Sequence, residues 1–185
     1  MPFFHKPFNF VTIIFLVLIG FLVFNKTLRQ KYLKSSLKSY RLNPLILLSF
    51  IFLPIIMADQ TGRLIKDLEI RDRPWVGQDI NKVNCLVCEK NQENPSLYLK
   101  KGGSAHKSFP SNHAANSFAI AIIISFFFPK LRAGAYALAF TIAFSRIYIG
   151  VHYPFDVVYG MSIGILSSYL AKLLFTIYIN KKSVR

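Results

Sequence analysis

The residues able to do chemistry fall in three short segments, each at the end of an apolar stretch: Lys66 to Pro74, Pro110 to His113, and Ser145 to Asp156. In the first, Lys66 and Arg73 stand seven positions apart, two helical turns, and would share a helix face if the preceding stretch continued outward as helix. Pro74 disfavours helix at Arg73 and puts that residue where helix gives way to loop. A guanidinium presents a planar fork of donors to phosphate oxygens, and a lysine adds a point charge. Taken alone, the segment reads as well as a solvated helix end, salt-bridged to Asp67, Glu69 and Asp72.

In the second segment Ser111 occupies an N-cap position ahead of an apolar run. A helix start offers unpaired backbone N–H groups and a positive dipole end, both suited to an anion. Ser111 and Asn112 add side-chain donors, and His113 in the first turn could protonate a departing oxygen. By itself this segment needs only a capping serine and a histidine in the headgroup zone. The third segment is the most informative. Arg146 closes an apolar span, Gly150 permits a turn, and Pro154 suits the first turn of a helix, with His152 just before it and Asp156 just inside. A carboxylate there can hold one imidazole N–H and fix the tautomer, so that the other nitrogen is free to attack. Asp156 is the only acid after Glu93, and a lone carboxylate entering an apolar helix needs a partner. Neutralising Arg146 is the plainer alternative. His5 and His106 have no partner by spacing.

The elements that must position these segments are membrane helices. Of 185 residues 53% are hydrophobic, with 18 Phe and a mean hydropathy of +0.39, too apolar for an ordinary soluble domain. Apolar stretches at about 8–24, 44–65, 113–128, 131–149 and 154–179 each approach the ~20 residues that cross a hydrocarbon core. Backbone groups in lipid must be satisfied within the span, so the stretches are predicted to be helices. The expected fold is an all-α membrane bundle of about five transmembrane helices in a single domain over residues 1–185, with a loop at 66–109. The first stretch is long for a signal peptide, lacks a small-residue cleavage site and runs into basic residues, so a retained helix is expected.

The net charge of +15 is unevenly placed: all eight acids lie between Asp59 and Asp156. Purely basic connections follow the first span (Lys26, Arg29, Lys31, Lys34, Lys38, Arg41), the third (Lys130, Arg132) and the fifth (Lys181, Lys182, Arg185). With alternating spans these share one side, the cytoplasmic one by the positive-inside rule. The N-terminus, the 66–109 loop and the Tyr148 to Tyr153 connection then face outward, and all three reactive segments meet at that exported face. Cations flanking apolar spans point to anionic lipid headgroups and away from nucleic acid. Leu28, Tyr32, Leu37 and Tyr40 recur near helical spacing, giving either an amphipathic helix on the inner leaflet or a basic loop without fixed structure. Cys85 and Cys88 cannot complete a four-thiolate zinc site and lack a thioredoxin-like setting. They form a small loop disulfide, which needs an oxidising compartment, or stay as two thiols.

The pattern K-x6-RP, PSxH and SR-x5-H-x3-D, in this order, resembles the type-2 phosphatidic acid phosphatase superfamily of lipid phosphate phosphatases and vanadium haloperoxidases. Here it reads Lys66…Arg73-Pro74, Pro110-Ser111-x-His113 and Ser145-Arg146…His152…Asp156, and the motif-bearing part runs from about Lys66 to Asp156. The resemblance implies an all-helical fold and a phosphoric monoester hydrolase that uses neither metal nor other cofactor and forms a covalent phosphohistidine. It makes His152 the nucleophile, Asp156 its orienting partner and His113 the general acid, with Lys66, Arg73, Ser111 and Arg146 on the phosphoryl oxygens. Where the family has Gly between Ser and His, this chain has Asn112, expected to survive the backbone geometry and to join the phosphate pocket. Membrane members commonly have six spans, against five counted here.

The expected substrate is an anionic lipid monophosphate or pyrophosphate reaching the site sideways from the outer leaflet. The loop cations Lys82, Lys90, Lys100, Lys101 and Lys107, with Trp75, suit a large acidic headgroup. That favours lipid A 1-phosphate, then phosphatidylglycerophosphate, then undecaprenyl pyrophosphate. Three other functions compete. Transfer of the phosphoryl group to another lipid uses the same residues. A non-catalytic lipid-binding protein needs the cations but not the histidines. A small transporter would line its spans with ionisable groups, whereas here, apart from Asp59, Arg63 and the site segments, most lie at span ends. The expected setting is a bacterial inner membrane, with the site facing the periplasm, the N-terminus outside and the C-terminus in the cytoplasm.

Overall fold

The computed structural model describes residues 17, 19–37, 43–76, 83, 85–86, 88 and 106–183. The start of the first predicted span, Tyr40, and the loop lysines 82, 90, 100 and 101 lie outside the described residues. Residues 19–24 are helical and lead into α1 (Lys26–Tyr32), which Asn25 caps by accepting the Leu28 N–H at 3.0 Å. Four longer helices follow: α2 (Pro44–Lys66), α3 (Asn112–Phe127), α4 (Arg132–Tyr148) and α5 (Pro154–Ser183). Their starts follow from local chemistry. Asn43 accepts the Leu45 N–H and Pro44 takes N1 of α2, the position where a missing N–H costs nothing. Ser111 is extended (φ −80°, ψ 100°) at the start of α3.

Among the described residues α2 and α5 are long and apolar enough to cross a membrane, with mean hydropathies of 1.8 and 1.5. Helices α3 and α4 have 16 and 17 residues, short of the ~20 of a full crossing. Two of the five expected spans thus have the length and composition of a crossing among the described residues, and most of the first lies outside them.

Helix α3 is the hub, packed against α2, α4 and α5. Its two ends are built differently. At the α1 end Phe127 meets Phe175 edge-on at 4.7 Å, Phe175 meets Phe50 at 5.1 Å, and Leu33, Leu37, Leu47, Ile51 and Ile123 fill the space around them. Toward the other end α5 lies directly on α3 through Gly160, Gly164 and Ser168. A Cβ at Gly160 would overlap the Ser111 carbonyl oxygen, and one at Gly164 the Ala115 carbonyl oxygen, while Ser168 Oγ donates to the Ala119 carbonyl at 2.8 Å. Small residues four apart let two backbones touch, which is how helices associate where no hydrophobic force operates between them. Gly164→Ala is expected to cost about 1–3 kcal/mol, the usual range for overpacking. The effect would be read as a lower unfolding midpoint in detergent, against the exposed control Ser162→Ala. An unchanged midpoint would mean the seam yields freely.

Candidate active site

Helix α2 stops at Lys66 and does not carry Arg73 outward on its face, contrary to expectation. Asp67, Leu68 and Glu69 close the last turn with N–H bonds to the carbonyls of Arg63, Ile65 and Lys66, and Glu69 adopts a left-handed conformation (φ 52°) that turns the chain. Residues 71–73 then run antiparallel to 106–108. Arg73 N–H donates to the His106 carbonyl and Ser108 N–H to the Arg71 carbonyl, both at 2.8 Å. Extended backbone alternates its side chains, so Arg71 and Arg73 leave this short ladder on the same side. Lys107, on the other strand, bonds Glu69 at 3.0 Å and Asp67 at 3.6 Å, which raises its pKa.

Lys66, Arg73, Asn112, His113 and His152 line one cavity of about 500 Å³, together with Asp59, Arg63 and Asp67. Ser111, Arg146 and Asp156 are fully buried and are not among the lining residues. Arg146 donates through Nε and Nη2 to Ser145 Oγ at 3.2 and 3.1 Å, and its carbonyl accepts the N–H groups of Val151 and His152, closing the turn before α5. The Ser111 hydroxyl makes no cap bond, and its buried oxygen has no partner. Asn112 directs its amide N–H to Asp59 Oδ1 at 3.2 Å, so its donor is committed to α2 instead of pointing at a phosphate. Cys85 and Cys88 are joined in a disulfide, and the neighbouring Leu86 N–H bonds the Ile149 carbonyl beside the His152 turn.

The His152–Asp156 pair differs from expectation in one respect. His152 Nδ1 lies 3.9 Å from Asp156 Oδ2, beyond hydrogen-bond reach, and Ser108 Oγ stands between them. Ser108 donates its one proton to Asp156 Oδ2 at 2.5 Å and so can only accept from Nδ1, at 3.3 Å. The imidazole proton then resides on Nδ1 and Nε2 keeps its lone pair. Burial pushes the His152 pKa down to about 4, with Arg73 and Lys66 adding to the shift and Asp156 opposing it. The neutral, nucleophilic form therefore persists at pH 7 and is lost only as pH falls through about 4. An imidazole NMR titration in micelles is expected to show that midpoint; one near the unperturbed ~6.5 would contradict the burial. Burial also lowers the Arg73 pKa, offset by Asp156.

Asp156 pairs with Arg71, not Arg146. Arg71 Nη1 donates to Oδ1 at 3.1 Å, and its guanidinium lies 5.3 and 5.8 Å from the ring centroids of Tyr153 and Phe155. Tyr153 N–H donates to Oδ2 at 3.0 Å. Arg71 and Ser108 are thus two site residues that spacing alone missed; the one signal for them was that a buried carboxylate needs partners. Ser108→Ala would remove a hydrogen bond within a charged group, worth about 1.5–3 kcal/mol, or roughly 10–100-fold in rate. The fall is expected in kcat with KM unchanged and partly restored in Ser108→Thr. Equal loss in both variants would argue for packing alone.

Three comparisons bear on this arrangement. The lipid A 4′-phosphatase of Bacteroides thetaiotaomicron is 40% identical over 100 residues, covering 50% of this chain and 40% of that protein. Matched stretches take up 27% to 53% of the curated relatives' lengths. Among solved structures, Aquifex aeolicus LpxE superposes with a TM-score of 0.53 at 23% identity, covering 92% of this chain and 90% of its own. A transmembrane PAP2-type phosphatidylglycerolphosphate phosphatase from Bacillus subtilis gives 0.54 at 22%, covering 94% and 73%. These two likenesses speak to the fold. The PAP2 superfamily profile matches residues 45–179, which takes in Lys66, Arg73, Ser111, His113, Arg146, His152 and Asp156. With its three motifs and its helical frame inside that match, this chain belongs to the PAP2 superfamily.

Proposed function

We propose that the chain is a lipid phosphatase working without metal through a phosphohistidine at His152. The observation that carries this reading is a buried imidazole whose Nδ1 meets Ser108 Oγ, lining the same cavity as Lys66, Arg73 and His113. In the first step Nε2 attacks phosphorus, an N–P bond forms, the P–O bond to the lipid alcohol breaks, and His113 gives that oxygen its proton. In the second, His113 takes a proton from water, which attacks the phosphohistidine and frees inorganic phosphate and the imidazole. Lys66 and Arg73 stabilise the charge on the equatorial oxygens, with Arg146 and Ser111 behind them, in a site where such terms are strong. Asp156 balances the cationic ring of the intermediate through Ser108.

The favoured substrate is a lipid A phosphate, in line with the relative named above, and phosphatidylglycerophosphate follows. The purely basic connections support a cytoplasmic C-terminus and a site open to the periplasmic face. The test is phosphate release by detergent-purified protein in EDTA from lipid A, phosphatidylglycerophosphate, phosphatidic acid and undecaprenyl pyrophosphate. Release from one or more of them is expected. Release that appears only when a divalent metal is restored would overturn the mechanism, and transfer to a lipid alcohol without free phosphate would make the protein a phosphotransferase.

A further inference from the structure

The cavity is larger than a phosphoryl group needs, and further polar side chains reach into it. Beyond Lys66, Arg73 and the histidines it is lined by Asp59, Arg63, Asp67 and Asn112. Arg63 and Asp59 sit one and two turns before the end of α2, about 5 and 10 Å along its axis from Lys66 toward the interior of the bilayer. Ionisable groups within a spanning helix are costly and are kept where they serve a site. Asp59 is pinned in place: Oδ1 accepts the amide N–H groups of Asn112 at 3.2 Å and Asn116 at 3.3 Å, while Oδ2 takes Arg63 Nε at 2.7 Å. Gly62, opposite, leaves room for the Asn112 side chain, since a Cβ there would overlap it. The amide oxygens of Asn112 and Asn116 are buried without a partner, and the Arg63 side chain is 67% exposed with only its Nε on Asp59.

Resting on the phosphatase reading, we infer that Asp59, Arg63 and Asn112 form a second subsite, which holds the part of the lipid joining the scissile phosphate to its chains. The Asp59 carboxylate accepts from hydroxyl or amide N–H groups, and the outer nitrogens of Arg63 donate to hydroxyl or carbonyl oxygens. An arginine already neutralised by a carboxylate does not favour a second phosphate there, and an isoprenoid or bare acyl chain would offer the outer nitrogens of Arg63 no acceptor. The ligand class is a phosphate monoester of a sugar or polyol that carries free hydroxyl or amide groups. Asn112, at the position where the family has Gly, is part of what builds this subsite in the present chain.

Two lipids isolate the claim. Phosphatidylglycerophosphate has a free hydroxyl beside its terminal phosphate, and phosphatidic acid has none. Their binding is measured to His152→Ala protein in nanodiscs, so the subsite is read without turnover, and again with Asp59→Asn or Arg63→Gln added. Phosphate release by the unsubstituted protein is read in parallel. The parent is expected to prefer phosphatidylglycerophosphate, and each added substitution to weaken it about tenfold while leaving phosphatidic acid within about twofold, with unfolding midpoints unchanged. Equal weakening of both lipids, or of neither, overturns the subsite. Absence of phosphate release overturns the phosphatase reading separately, because binding selectivity does not depend on it.

Discussion

His152→Ala is expected to lower phosphate release by about 10⁴-fold or more, the scale on which removal of a covalent nucleophile acts when other groups remain in place. The substitution removes the attacking nitrogen and leaves Lys66, Arg73 and His113 around the cavity, so lipid should still bind. The contrast that matters is chemical. Unsubstituted protein given a ³²P-labelled lipid and quenched early is expected to carry label that is stable in alkali and lost in acid, as a phosphorus–nitrogen bond is. The variant should carry none. Label in the variant would move the nucleophile elsewhere, and His113 would be the next residue to replace. Full turnover by the unsubstituted protein without label, lost in the variant, would mean that water attacks directly and that His152 serves as its base.

Asp156→Asn is expected to cost about 10²–10⁴-fold in kcat, because the amide cannot satisfy every partner of the carboxylate. The buried side chain receives Arg71 on Oδ1 and both Ser108 and Tyr153 N–H on Oδ2. With its oxygen toward Ser108, an asparagine turns an NH₂ group against the Arg71 guanidinium. In the other orientation the NH₂ meets the Tyr153 N–H and donates to Ser108. The serine proton then turns to His152 Nδ1, forcing the ring into the tautomer whose Nε2 carries hydrogen and cannot attack. Adding Arg71→Gln to the Asp156→Asn variant removes the first conflict and should recover part of the loss, although Arg71→Gln alone is harmful. That sign of coupling is what a double-mutant cycle measures. Strict additivity of the two substitutions would remove Arg71 from the arrangement.

Helices α2 to α5 were legible because their signals are local: apolar runs, Pro154 at a helix start, Ser111 ahead of α3. The motif residues were legible through their types and order. Arg71 and Ser108 were not, since what makes them matter is a pairing of three residues with three others more than 30 positions away, too short for alternation to show. Arg71 was hidden among the unspecified positions of K-x6-RP, and Arg146 was the only cation near enough in sequence to be offered to Asp156. Burial against Ser145 decided otherwise. The expected continuation of α2 to Arg73 failed at Glu69, whose left-handed backbone no pattern of apolar residues announces. The role of Asn112 depended on Asp59, 53 residues earlier and on another helix.

The ladder between 71–73 and 106–108 has a further consequence. It works as a buckle, joining the two strands of chain that enter and leave the loop between them at the point where Arg71, Arg73 and Ser108 take their places. Whatever the chain does between the two sides of the buckle, the span between them is already closed. Adding residues there changes the closure entropy only logarithmically, about 0.6 kcal/mol for each doubling of length. Length and composition can therefore vary in the loop while the residues around His152 and Asp156 hold their positions. A chain built this way can acquire a new exterior, a longer cover or a different surface charge, without reassembling its chemistry.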